Sequence, residues 1–155
     1  MIRWTTPKGM ALAISGVLLI SSCTSDTPSA EKLCLEAVGE LDASIEVSEE
    51  LLDEAVAEMR EPDAVEKLDA ITSRYSSLLE ELNTRDPEVP SEAQKAHRRL
   101  VSGVGMQRSA WMFISDGIRL GAPDLIDDGA ELIALSRQVL SESRLAIPSC
   151  SQIDN

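Results

Sequence analysis

From Cys34 to Ser143 the apolar residues of this chain recur every three or four positions, and this constrains its fold more than any other feature. Cys34, Val38, Leu41, Ile45, Ser48, Leu52, Ala55 and Met59 form one such stripe, widened by Ala37, Leu51 and Val56. That spacing places side chains on one face of an α-helix, because 3.6 residues complete a turn. Pro62 ends the first stripe, and Asp63 is positioned to cap a second helix carrying Val65, Leu68, Ile71, Tyr75, Leu78, Leu79 and Leu82 inward. The segment RDPEVP, with Pro87 and Pro90, breaks the pattern; Ser91-Glu92 then offers a cap for a third helix. Its inner face reads Ala93, His97, Leu100, Val104, Trp111, Ile114 and Ile118. Gly121 closes that helix and Pro123 opens a fourth, bearing Leu125, Ile126, Gly129, Ile133, Ser136, Leu140 and Ser143 before Pro148. Four helices with short connections must run antiparallel to their neighbours, so the expected fold is all-α, an up-down-up-down four-helix bundle over residues 31–150.

Composition agrees. Glu, Leu and Ala are abundant, and beyond residue 30 the aromatic residues are Tyr75, Trp111 and Phe113, too few for an ordinary β-sandwich core. The length suits one domain with one core. With 27 acidic against 14 basic side chains and a formal charge of −13, the chain lacks the cationic excess that phosphate backbones require, which argues against a nucleic-acid partner.

The N-terminus follows a different logic. MIRWTTPKG carries Arg3 and Lys8 and no acid; MALAISGVLLI is an apolar run too short for a comfortable membrane span, which takes roughly 20 residues. Ser21 and Ser22 follow, then Cys23. A basic start, a short apolar core and small residues before a cut make a secretory signal over residues 1–22. The stretch Ile20-Ser21-Ser22-Cys23 resembles the lipobox of bacterial lipoproteins. The resemblance implies a diacylglyceryl thioether on Cys23, cleavage before it, N-acylation by a fatty acid such as palmitate, and a location on the extracytoplasmic face of a cell membrane, or of an outer membrane in a two-membrane envelope. The alternative is an ordinary secretory signal that leaves Cys23 unmodified. Two or three acyl chains hold a soluble domain where one holds it only marginally. Residues 23–30 then form a short polar tether containing Pro28, and the position after Cys23 is Thr24 rather than an aspartate that would mark inner-membrane retention in enteric envelopes.

Cys34 falls near the start of the first helix and Cys150 just past the fourth, at the same pole of an up-down-up-down bundle. In an oxidising compartment a Cys34–Cys150 disulfide is the economical expectation, with two free thiols the alternative. Cys23 is then left without a protein partner, as lipidation requires.

Catalytic and metal chemistry find little purchase. His97, in KAHRR, is the sole histidine and no nucleophile motif accompanies it; a core-edge histidine is the plain reading. One histidine cannot supply the paired Glu-x-x-His motifs of a di-iron bundle or a zinc cluster, so no metal or cofactor is expected. Gly103, Gly105 and Gly117 inside the third helix point to close packing or a kink, with a groove floor as the functional alternative. Lys95, Arg98 and Arg99 fall at the cysteine pole, as candidate membrane-facing cations. Glu50, Asp53 and Glu54 with Asp124, Asp127 and Asp128 fall toward the opposite pole, as a candidate acidic interaction face or simply a solvated one. The functional expectation is a membrane-anchored lipoprotein that binds an envelope protein or a cationic ligand. A structural or stress-protective envelope component is the alternative. An envelope enzyme is disfavoured because no catalytic constellation is visible.

Overall fold

The computed structural model describes residues 29–86 and 89–150. The expected signal, Cys23, the greater part of the tether, Pro87 and the tail 151–155 lie outside the described residues. Those described form four helices and no strand: α1 Ala30–Glu58, α2 Ala64–Arg85, α3 Gln94–Leu120 and α4 Pro123–Leu145. Short connections turn each helix back on the last. Cross-helix bonds register the antiparallel pairs, from His97 to the Leu82 carbonyl near one pole to Arg119 with Asp69 near the other.

The core is built from Leu41, Ile45, Leu52 and Ala55 of α1, Leu68, Ile71, Tyr75, Leu78 and Leu82 of α2, and Leu100, Val104, Trp111 and Ile114 of α3. The fourth helix contributes Leu140 and otherwise buries small residues, Gly129, Ser136 and Ser143. It therefore lies backbone-close on α3. A Cβ at Gly129 would stand 2.5 Å from Ile114 Cγ1 and 2.8 Å from the Ala110 carbonyl; one at Gly103 would meet Leu140 at 2.7 Å. Ser143 Oγ donates to the Ala96 carbonyl at 2.7 Å across the same seam. By contrast α1 leans on α2 and α3 and approaches α4 at few points.

This geometry predicts opposite outcomes for two glycines. Gly129→Ala drives a methyl into a backbone carbonyl that cannot yield, and overpacking of this kind costs about 1–3 kcal/mol. Gly105→Ala meets nothing within 4 Å; it gains helix propensity of about 1 kcal/mol and should stabilise. Thermal melts of the two variants check this, and a stabilised Gly129→Ala protein would contradict the close seam.

Several boundaries differ from expectation. α3 begins at Gln94, not at Ser91-Glu92, because the Pro90 carbonyl accepts the Ala93 and Gln94 amides at 2.9 and 3.1 Å and makes a turn of residues 91–93. Asp63 makes no side-chain cap bond; its carboxylate goes to Lys67 at 3.2 Å instead. The third helix closes as expected, with Gly121 left-handed at φ 63° and the Ala122 amide reaching the Gly117 carbonyl at 2.9 Å, while Pro123 opens α4. Val56, Met59 and Ile118 are not inner residues; they are 37%, 38% and 38% exposed.

Candidate functional site

At one pole the sulfurs of Cys34 and Cys150 stand at disulfide distance, with their Cα atoms 5.7 Å apart. The histidine lies beneath, 2% exposed. A carbonyl only accepts, so the His97 Nε2–H donates to Leu82 O at 3.0 Å. Asp86 Oδ1 lies 3.3 Å from Nδ1, which has no hydrogen-bond partner among the described residues. The ring thus ties α3 to the last turn of α2. Beside it a small apolar recess of about 40 Å³ is lined by Ala37, Leu41, Leu82 and Val89, room for a water or two.

Of the candidate membrane-facing cations, Lys95 and Arg98 are exposed in the first turns of α3, Arg98 Nε donating to the Gln94 carbonyl at 3.3 Å. Arg99 is otherwise employed. Its guanidinium donates to the Glu142 carbonyl at 3.1 Å and pairs with the Glu142 carboxylate at 3.4 Å, fastening α3 to α4.

The acidic candidates are all exposed, but they divide by their partners. Glu54 is held by Arg74 of α2. Among the described residues Glu50, Asp53, Asp124, Asp127 and Asp128 make no ion pair, so that α4 opens with uncompensated negative charge, favourable at a helix N-terminus. Nearby, Lys67 bridges Glu58 at 2.6 Å and Asp63, and these carboxylates hold its ammonium above the usual lysine range.

A buried polar layer crosses the middle of the bundle. Ser48, Gln107 and Ser136 are fully buried there. Ser48 Oγ donates to Gln107 Oε1, and the Tyr75 hydroxyl donates to the Ser48 carbonyl at 3.1 Å. Gln107 Nε2 has no hydrogen-bond partner among the described residues. Beside this layer, where α1 stands off from α4, a cleft of about 330 Å³ opens, lined by Leu52, Asp53, Gln107, Arg137 and Leu140. Arg144 and Glu49 close one end of it with two hydrogen bonds at 3.0 and 3.3 Å.

The sequence reading did not find this cleft. The signal was nevertheless present: the inner stripe of α3 steps from Val104 to Trp111, and the position it skips is Gln107. The three glycines divide as well. Gly103 and Gly117 serve the close α3–α4 seam, Gly105 faces open space, and none of them lines the cleft.

Among the described residues no three His, Cys, Asp or Glu side chains converge on a possible metal site, and no helix is long and apolar enough to cross a membrane. The chain matches no protein-family model, no curated protein and no solved structure.

Proposed function

We propose that this protein is a lipid-anchored, extracytoplasmic interaction module that presents an acidic pole to a cationic partner in the cell envelope. The observation that carries the reading is the Ile20-Ser21-Ser22-Cys23 stretch, placed after a basic start and a short apolar run and ahead of a chain that is otherwise a helical bundle. The bundle supports it in two ways. α1 begins at Ala30, only a few residues from Cys23, so an anchor would hold the cysteine pole toward the lipid. At 1.5 Å per residue the 29 residues of α1 span roughly 40 Å, so the far end stands well beyond the reach of a charged surface, whose field fades within a Debye length of about 8–10 Å. Asp124, Asp127 and Asp128, at the start of α4, lie at that far end without ion-pair partners among the described residues.

One experiment with two arms tests the proposal. Cys23→Ala should abolish labelling by an alkyne fatty acid and leave the precursor mostly uncleaved after Ser22; undiminished labelling would end the lipoprotein reading. Replacing Asp124, Asp127 and Asp128 together by Asn should leave labelling intact and remove a salt-sensitive crosslink to a basic envelope protein. Crosslinking unchanged by that triple replacement would reduce the acidic pole to a solubilising surface.

A further inference from the structure

We infer that the cleft between α1 and α4 is a binding site for a small zwitterion, a free amino acid or a dipeptide. The site does not rest on the anchor, and it shares only Asp53 with the candidate acidic face. Its central observation is Gln107, 0% exposed and lining the cleft, whose Nε2 amide group has no hydrogen-bond partner among the described residues while Oε1 accepts from Ser48. A buried amide N–H left unpaired costs about 1–3 kcal/mol, so such a group wants an acceptor, supplied by water or by a ligand oxygen.

The walls specify the rest. Arg137 on α4 and Asp53 on α1 line the same cleft, and neither makes an ion pair among the described residues. Opposite charges left apart on facing walls suit a ligand that carries both. Its carboxylate would take Arg137 and the Gln107 N–H, and its ammonium would take Asp53. Leu52 and Leu140 supply an apolar surface for a small aliphatic side chain. The pair Glu49–Arg144 shuts the end nearer the cysteine pole, and its charges are already spent on each other. At about 330 Å³ the cleft lies at the small end of ligand sites, which run from about 300 to 1,000 Å³, and is too small for a folded partner.

Calorimetric titration of the full chain in detergent micelles tests this with four probes: L-alanine, L-alanyl-L-alanine, propionate and isopropylamine. At least one of the two zwitterions should give a saturable signal, and the preference between them reports the charge spacing the cleft takes, short in a free amino acid and longer in a dipeptide. Propionate and isopropylamine, each lacking one charge, should bind at least about tenfold more weakly. Arg137→Gln and Asp53→Asn, both at exposed positions, should each weaken the zwitterions by about tenfold or more with unchanged helical melting. Gln107→Leu should do the same, although it also strips Ser48 of its acceptor; the two surface variants carry the test if that variant misfolds. The absence of saturable binding to either zwitterion, equal binding of the single-charge probes, or binding indifferent to Arg137→Gln and Asp53→Asn would each overturn the site.

Discussion

Replacing Cys34 and Cys150 together by serine is expected to lower the melting temperature by on the order of 15 °C, with the helical spectrum at low temperature nearly unchanged. The two cysteines are 116 residues apart in sequence, and a crosslink closing a loop of that size restricts the unfolded chain by about 4–5 kcal/mol. For a domain of this length each kilocalorie is worth roughly 3–5 °C. The effect should be local as well as global. Among the described side chains in the first three turns of α1 only Cys34 is buried, with Leu33 and Leu35 exposed, and the continuous core begins at Leu41. α1 also meets α4 at few points, the Glu49–Arg144 pair among them. Without the bridge, the segment from Cys34 to about Leu41 has little to hold it. Amide hydrogen exchange in residues 34–41 should accelerate far more than in α3. Uniform acceleration across all four helices would mean that the bridge acts through the unfolded chain alone. Two reactive thiols in the unreduced, unfolded protein would refute the bridge outright.

The fold was legible because each level of the sequence points the same way. Pro62, Gly121 and Pro123 mark boundaries by backbone chemistry that tertiary contacts rarely override. Buried positions in the middle of each stripe, such as Ile45, Leu68, Tyr75, Leu100 and Trp111, also follow from spacing. The errors lie where spacing alone was extrapolated. Val56 lies in the last turn of α1 and Met59 is its C-cap, so both keep the azimuth of the stripe but stand at the end of the helix, where less packs over it. Ile118 fails for another reason: Gly117 is the residue that faces α4, with a Cβ there 2.6 Å from Ile126, and its neighbour must turn away.

The cleft and its chemistry were less legible. A polar residue within an apolar stripe carries no sign of whether its neighbours will satisfy it. Ser48 and Gln107 satisfy each other in part, and the orphaned Nε2 depends on how far α1 stands from α4. That separation follows from the small residues that pull α4 onto α3, a property of the assembled helices and not of any one of them. Arg99 teaches the same lesson about charge. Sequence placed it in a basic cluster, and the fold gives it to Glu142.

The polar layer also makes the protein sensitive to alkali through one residue. Tyr75 is the sole tyrosine of the chain and is 0% exposed, its hydroxyl donating to the Ser48 carbonyl. Burial raises its pKa far above the ordinary tyrosine value; the Asp53 and Glu54 carboxylates push the same way, while Trp111 and Arg74 oppose. In the unfolded chain the phenol ionises at about pH 10, whereas in the folded chain it keeps its proton. Its contribution is therefore fully present below about pH 10 and is lost as pH rises from there toward the folded value, at about 1.4 kcal/mol per unit. Tyr75→Phe removes this dependence along with one hydrogen bond worth about 1 kcal/mol. At neutral pH the variant should be the less stable protein, and the two stability curves should cross near about pH 11. With a single tyrosine, ultraviolet phenolate absorbance reports this group alone. It should rise together with the loss of helical circular dichroism, as one transition. A phenolate signal appearing at the ordinary tyrosine pH while the helices remain intact would show that water reaches the centre of the bundle.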